Sequence, residues 1–184
     1  MNTGLSVAAK SLQSANKLQE SMESILDILT KLGEAAPRPM GESTLMTDID
    51  DMNKVLHDRS DDSLLNIQDT EDKKLVALHQ LYSDLVHVLY FTKPDLLGSL
   101  SLRMIELTMA KGLTPTSPFS FAYYGMALAT MGKVEEGCRL GRLALKLVDE
   151  NASSSKYKPM VISICYNAIL FHSEPLQSTA QAHH

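Results

Sequence analysis

The chain has 184 residues, 44% of them hydrophobic, and a formal net charge of -5. That length suits one ordinary domain or a short run of repeats around a packed core. The negative balance, the 5% aromatic content and the lack of tryptophan argue against a nucleic-acid binder, which needs a basic face and stacking rings.

The pattern from Ser6 to Leu32 predicts one helix, with Leu18, Met22, Ile25, Leu29 and Leu32 on one face. Gly33, Pro37 and Pro39 stop it. A second helix is expected from Ser43 or Thr44, striped by Leu45, Ile49, Met52 and Leu56, with Asp48, Asp50 and Asp51 favouring its positive end. Asp58 to Asp62 forms a polar break with helix-capping aspartates, and Ser63 to Ile67 reads as a single turn.

A long helix is predicted from Glu71 to Phe91, and Pro94 opens another that Gly112 ends. Two more are expected, from about Pro118 to Met131 and from Val134 to Glu150. A polar loop, Asn151 to Lys156, leads to a helix over Lys158 to Phe171, and a further one is expected after Glu174. The periods give no convincing strand. The expected fold is all-α, seven or eight helices stacked as antiparallel pairs. Residues 1–33 would form an N-terminal helix and candidate cap, 34–176 a helical domain, and 177–184 a disordered tail.

The stretch from Phe121 to Leu147 carries Gly125, Gly132, Gly137 and Gly141 inside a helical pattern. Each glycine in a helix interior costs about 1 kcal/mol relative to alanine. Either these residues cradle a phosphate or they let two helices approach closely. A phosphate loop needs a preceding strand and a Gly-Lys-Ser/Thr run, and neither is present. Close packing is therefore the favoured reading. Pro118 to Asn151 matches the period of about 34 residues of the tetratricopeptide repeat. Phe121 fills its aromatic slot, Tyr124-Gly125 its leucine-glycine slot, Gly132 its turn, Gly137 its small slot and Ala144 its later alanine. Gly141 departs from the pattern by replacing an aromatic. Leu128 completes the expected packing set. The windows on either side, at His87 with Tyr90-Phe91 and at Lys158-Pro159, fit poorly.

Glu135, Arg139, Arg142 and Lys146 form a charged stripe on the Val134–Glu150 helix. It reads as a solvated face with a Glu135–Arg139 pair, or else as a docking strip for an acidic partner. Met104, Met109, Met126 and Met131 cluster around the hairpin and read as core filler before a sticky surface. His79 and His87 sit eight residues apart, not the four of a helical metal pair, and read as ordinary polar or half-buried histidines. The Asp58–Asp62 run lacks the calcium-loop pattern. No Gly-x-Ser-x-Gly is present, and spacing supports no thiol dyad for Cys138. Cys138 and Cys165 read as reduced, buried apolar residues. Asn151-Ala152-Ser153 forms a sequon, read as a chance match. No cofactor, metal or catalytic residue is expected. With neither a signal-peptide core nor an apolar run of about 20 residues, a cytoplasmic protein is expected, with no membrane or nucleic-acid partner.

Four blocks occur in a fixed order: LDILTKLGEAAP, LLNIQDTEDKKLVALHQLYSDLVHVLYFTKPDLL, LSLRMIELTMAKGLTPTSPFSFAYYGMAL and GCRLGRLALKLVDE. From about Ile25 to Leu176 the chain resembles the helical-repeat region of large signalling proteins. Those proteins join an AAA-type ATPase, often with a kinase-like domain, to a sensor and a histidine-kinase or cyclase output. The resemblance implies a tetratricopeptide-like superhelix coupling ATPase to output, with protein partners or neighbouring domains. It brings no catalytic residue to this chain, since the family's Walker lysine and phosphotransfer histidine have no match here. The implied function is a non-catalytic scaffold, as a fragment or relative of that region. The alternatives are an adaptor that binds a peptide or helix in trans, and an ATP-dependent signalling enzyme only together with further domains.

Overall fold

The computed structural model describes residues 3–170, with side chains from Lys17 onward. These residues form eight α-helices: α1 (Thr3–Lys31), α2 (Ser43–His57), α3 (Asp61–Leu65), α4 (Lys73–Thr92), α5 (Leu97–Lys111), α6 (Ser117–Thr130), α7 (Val134–Glu150) and α8 (Lys158–Ile164). Among the described residues there is no strand, only one isolated parallel bridge between Asp69 and Leu113. The helix expected after Glu174 and the expected tail lie outside the described residues.

Local chemistry sets the helix ends. Asp72 caps α4, its carboxylate accepting from the Lys74 and Leu75 amides, so α4 starts at Lys73 rather than Glu71. Ser60, not one of the neighbouring aspartates, caps α3 by accepting from the Ser63 amide. The expected Asn151–Lys156 loop is a 3₁₀ helix, Ala152–Tyr157, which the Asn151 side chain caps. Past Ile164 the last described helix widens into a π-helical turn, Cys165–Ile169. Asp48, Asp50 and Asp51 lie beyond the first turn of α2, too far in for its N-terminal dipole. They pair instead with Arg38, Lys133 and Lys54.

The core is continuous from Met22 and Leu29 on α1 to Ile169 and Leu170, and its largest fully buried side chains include Tyr82, Phe119, Phe121 and Tyr124. Helix α6 is apolar on nearly every side and sits at the centre, as an all-round hydrophobic helix must. It packs on α5, α7 and α8, while α1 lies on α4, α2 on α5, and α3 on α7.

Gly125 of α6 and Gly137 of α7 face each other. A Cβ built on Gly137 would lie 2.6 Å from the Gly125 carbonyl oxygen, and one on Gly125 would lie 2.9 Å from that of Gly137. Backbone meets backbone here, so no side chain can move aside. Leu140 lies beside Gly125 and Ala129 beside Gly137, and Leu128, Phe121 and Ala144 are buried on the same two helices. Gly132, at φ 85°, closes α6: the Lys133 amide donates to Leu128 O and the Gly132 amide to Ala129 O. Gly141 differs, because its missing Cβ faces the Ile169 side chain at 3.3 Å.

Gly137→Ala is expected to destabilise the fold by about 1–3 kcal/mol, the range for overpacking, although alanine is the better helix former by about 1 kcal/mol. Gly141→Ala is expected to cost less than Gly137→Ala, because the contact it makes is with the Ile169 side chain and the helix gain of about 1 kcal/mol offsets it. Urea unfolding of the two variants checks this, and equal effects would contradict the backbone crossing.

Candidate functional site

The structure does not bring the expected docking arginines together on an open strip. Arg139 turns away from solvent into the corner between α2 and α3. Its Nε donates to Asp61 Oδ1 at 2.7 Å, its Nη1 to Leu56 O at 2.9 Å and its Nη2 to Arg59 O. The stripe is therefore not a purely solvated face, since Arg139 ties α7 to a distant corner. Arg142 and Lys146 remain exposed, and Glu135 is exposed beside them. Met104 is fully buried, whereas Met109, Met126 and Met131 are half-buried against the core. Cys138 and Cys165 are buried thiols that form no disulfide, and burial pushes the Cys165 thiol up to about 12.

Two concave sites stand out. The first, of about 300 Å³, lies under the connection from α1 to α2. Gly33 at φ 84° ends α1, with the Glu34 amide donating to Leu29 O and the Gly33 amide to Thr30 O. This reversal turns Glu34 inward. Its carboxylate accepts from Arg103 Nε at 2.8 Å, Arg103 Nη2 at 3.2 Å and the Tyr82 hydroxyl at 2.6 Å. Arg103 Nη1 donates onward to Glu106 at 3.2 Å. The forked pairing, foremost the hydrogen bonds from Arg103, holds the Glu34 carboxyl below the usual carboxylate range. Burial, helped by Glu34, raises the Tyr82 phenol. The connection then runs along α5, with the Arg38 amide donating to Ser99 Oγ and the Met40 amide to Asp95 O. Every charged group lining this cleft is thus matched from within: Glu34 and Glu106 by Arg103, and Arg38 by Asp48 and Glu42.

Behind it, His79 is fully buried, where the sequence suggests an ordinary polar or half-buried histidine. Its Nδ1 lies 2.8 Å from Thr114 Oγ1, while Nε2 meets no hydrogen-bond partner. Thr114 joins Ser117 and Thr108 in a chain of buried hydroxyls that starts α6. Burial first, then the Arg103 charge, lowers the His79 pKa to about 4, with Glu34 opposing. His87 is exposed, bonds to Ser83 O through Nδ1 and stacks on Phe119 with ring centroids 5.8 Å apart. The two histidines share no site. Among the described residues, no group of three or more ligating side chains could hold a metal.

The second site is an open groove of about 420 Å³ where the Leu65–Asp69 segment meets the end of α7. Leu113 bridges into it, its amide donating to Gln68 O and its carbonyl accepting from the Thr70 amide. Elsewhere on the surface, Tyr90 and Phe91 at the end of α4 are 54% and 74% exposed and contact each other edge to face. No helix of the described residues is long and apolar enough to cross a membrane.

Comparison of the chain with protein-family models, with curated proteins and with solved structures returns no match. The sites above therefore rest on geometry alone. Sequence reasoning missed Glu34, Tyr82 and Arg103, whose only local signal is the helix-stop glycine before Glu34.

The buried His79 fixes a sign for pH dependence. Its pKa is lower folded than unfolded, so the unfolded chain binds the proton first. The stability it contributes is complete above about 6.5 and is lost as pH falls toward 4, by about 3 kcal/mol in all. Glu34 acts in the same direction at lower pH, its stabilisation lost as pH falls through its depressed value. Unfolding free energies measured from pH 7 to 4 are expected to decline steeply, and His79→Asn is expected to flatten the upper part of that decline.

Proposed function

We propose that the chain is a non-catalytic helical-repeat scaffold that holds a protein partner or a neighbouring domain. The observation that carries this reading is the packing order of its helices. Helix α6 packs on its hairpin partner α7 and on α8, which follows that pair, whereas α4 reaches this pair through α5, its own partner, which packs on α6. The α6 contacts are those of a solenoid of helix pairs, in which each repeat touches its neighbours and the first helix of a pair touches its own partner and the first helix of the next. Tight turns and the small-residue crossing at Gly125 and Gly137 suit antiparallel pairs of the tetratricopeptide kind. On this reading α1, laid on α4, is the cap of the stack.

The same reading makes the chain a relative or a fragment of the coupling region of large ATPase and kinase signalling proteins, which its sequence blocks resemble. Its work is then mechanical. The stack transmits the tilt of one neighbour to the next, and its surface aromatics supply contact area. Aromatic side chains are enriched at protein interfaces, and an exposed pair such as Tyr90 and Phe91 is suited to that use. Function as an adaptor acting in trans would use the same surface.

A photo-crosslinking residue placed at Phe91 is expected to yield one discrete protein adduct in cells. The same residue at Lys146 tests the α7 strip, and an adduct there alone would move the partner to that face. No adduct at either position would contradict the scaffold reading, as would saturable ATP binding and hydrolysis by the purified chain.

A further inference from the structure

Arg103 and Tyr82 face the cleft from two helices, α5 and α4, and the carboxylate between them comes from outside both. The Arg103 fork gives one donor to each Glu34 oxygen, Nε at 2.8 Å and Nη2 at 3.2 Å, and the Tyr82 hydroxyl adds a third at 2.6 Å. A planar fork with paired donors is the arrangement that recognises a carboxylate group. The receiving groups are held in place, because Tyr82 is buried and Arg103 Nη1 is bonded to Glu106. Arg103 lines the cleft of about 300 Å³ and is half exposed, so the fork is open to approach from solvent.

Glu34 comes to this site from the least anchored part of the connection. Its amide closes α1 on Leu29 O, and the next anchor is the Arg38 amide on Ser99 Oγ. Between them Ala35 and Ala36 are exposed, and their backbone amides make no hydrogen bond among the described residues. Gly33 precedes this span at φ 84°, and a Cβ built on it would meet nothing within 4 Å. Past Arg38 the connection is pinned. The Met40 amide donates to Asp95 O, and the Met40 thioether lies over Gly98, where a built Cβ would come within 2.0 Å of the sulfur. Among the described residues, the polar tie from residues 34–37 to α4 and α5 is the Glu34 carboxylate alone. Helix α1 does not need that tie to stay in place, since Met22 and Leu29 bury it in the core.

We propose that Arg103 and Tyr82 form a receptor for a carboxylate of the partner protein, which Glu34 fills in cis as an autoinhibitory stand-in. Turning of the span at Gly33 withdraws Glu34, and an incoming acidic side chain or C-terminal carboxylate remakes the same three hydrogen bonds. An empty site is disfavoured, because it leaves the buried Tyr82 hydroxyl without an acceptor and the fork unpaired. Exchange of one carboxylate for another avoids that cost and keeps the charge of the site unchanged. The assignment rests on the scaffold reading for the source of the carboxylate, and it narrows that reading to a partner that presents one.

The test uses the full chain and three defined peptides, followed through the Arg103 Nε–H and backbone amide NMR signals. Acetyl-Ala-Leu-Glu-amide carries a side-chain carboxylate, and acetyl-Ala-Leu-Ala with a free C-terminus carries a terminal one. Acetyl-Ala-Leu-Gln-amide is the neutral control. Saturable shifts are expected at Arg103 Nε–H and at the Glu34, Ala35 and Ala36 amides with a carboxylate peptide and not with the control. The Arg38 and Met40 amides are expected to keep their protection from hydrogen exchange throughout. The tighter of the two carboxylate peptides names the source. Glu34→Gln removes the internal competitor and is expected to tighten binding about tenfold or more, since occupancy in cis lowers apparent affinity by the fraction of open sites. Tyr82→Phe in that background is expected to weaken it again, and unchanged α6 and α7 amide positions confirm that both variants are folded. An equal response to the glutamine peptide, no response in either the native or the Glu34→Gln chain, or equal affinity of the two would overturn the assignment. Loss of the crosslink at Phe91 beside an intact peptide response removes the scaffold and leaves the carboxylate site. An intact crosslink beside an absent peptide response removes the site alone.

Discussion

The contact between the α6 and α7 backbones at Gly125 and Gly137 is the constraint from which the rest of the arrangement follows. With only hydrogen on each α-carbon, each glycine packs against the other's carbonyl oxygen. That proximity lets α6 lie at the centre with all but two of its residues buried, Met126 and Thr130 excepted. Three polar arms then extend from this hairpin to α2 and α3. Tyr124 donates to Ile49 O at 2.9 Å, Lys133 pairs with Asp50, and Arg139 fills the α2–α3 corner. A wider crossing would shift all three arms together. The short helices α2 and α3 are thus placed by side chains of the hairpin as well as by their own leucines.

The second organising element is the Glu34–Arg103–Tyr82 cluster. It joins the end of α1 to α4 and α5 and fixes the path of the connection into α2. Glu34 is nearly enclosed, with 11% of its side chain accessible, and Arg103 is 42% accessible. Breaking such a pair from one side leaves a poorly solvated carboxylate, which is more harmful than removing both partners. The cluster therefore specifies one register of α1 on α4. The hydroxyl chain behind it, from His79 through Thr114 to Ser117, does the same for the start of α6. Burying neutral polar groups in this way makes the fold sensitive to acid and directs where each helix begins.

The helices were legible where the sequence carries both a period and punctuation. Gly132 and Asn151 bracket α7, and its range, Val134–Glu150, is the one that the stripe and stop signals give. The all-α class follows from the same periods. The capping of α3 by Ser60 was missed because three aspartates, Asp58, Asp61 and Asp62, crowd around it. The 3₁₀ turn after α7 was missed because its serines read as loop. Side-chain destinations were far less legible. Arg139 looks like part of a surface stripe because its neighbours at helical spacing are charged, but its partners lie in residues 56–61. Glu34 and Arg103 are similarly remote, and no local pattern joins them. The groove beside the end of α7 is assembled from three separate segments, so no single stretch announces it.

Native-state hydrogen exchange tests most directly whether the α6–α7 crossing is what the fold depends on. The interior amides around Leu128, Leu140, Leu143 and Ala144 should exchange most slowly, at the rate set by global unfolding. Amides in α1 and α3 should exchange faster, through local openings that leave the hairpin closed. Slow exchange centred on α1 and α4, with α6 and α7 opening first, would contradict the account.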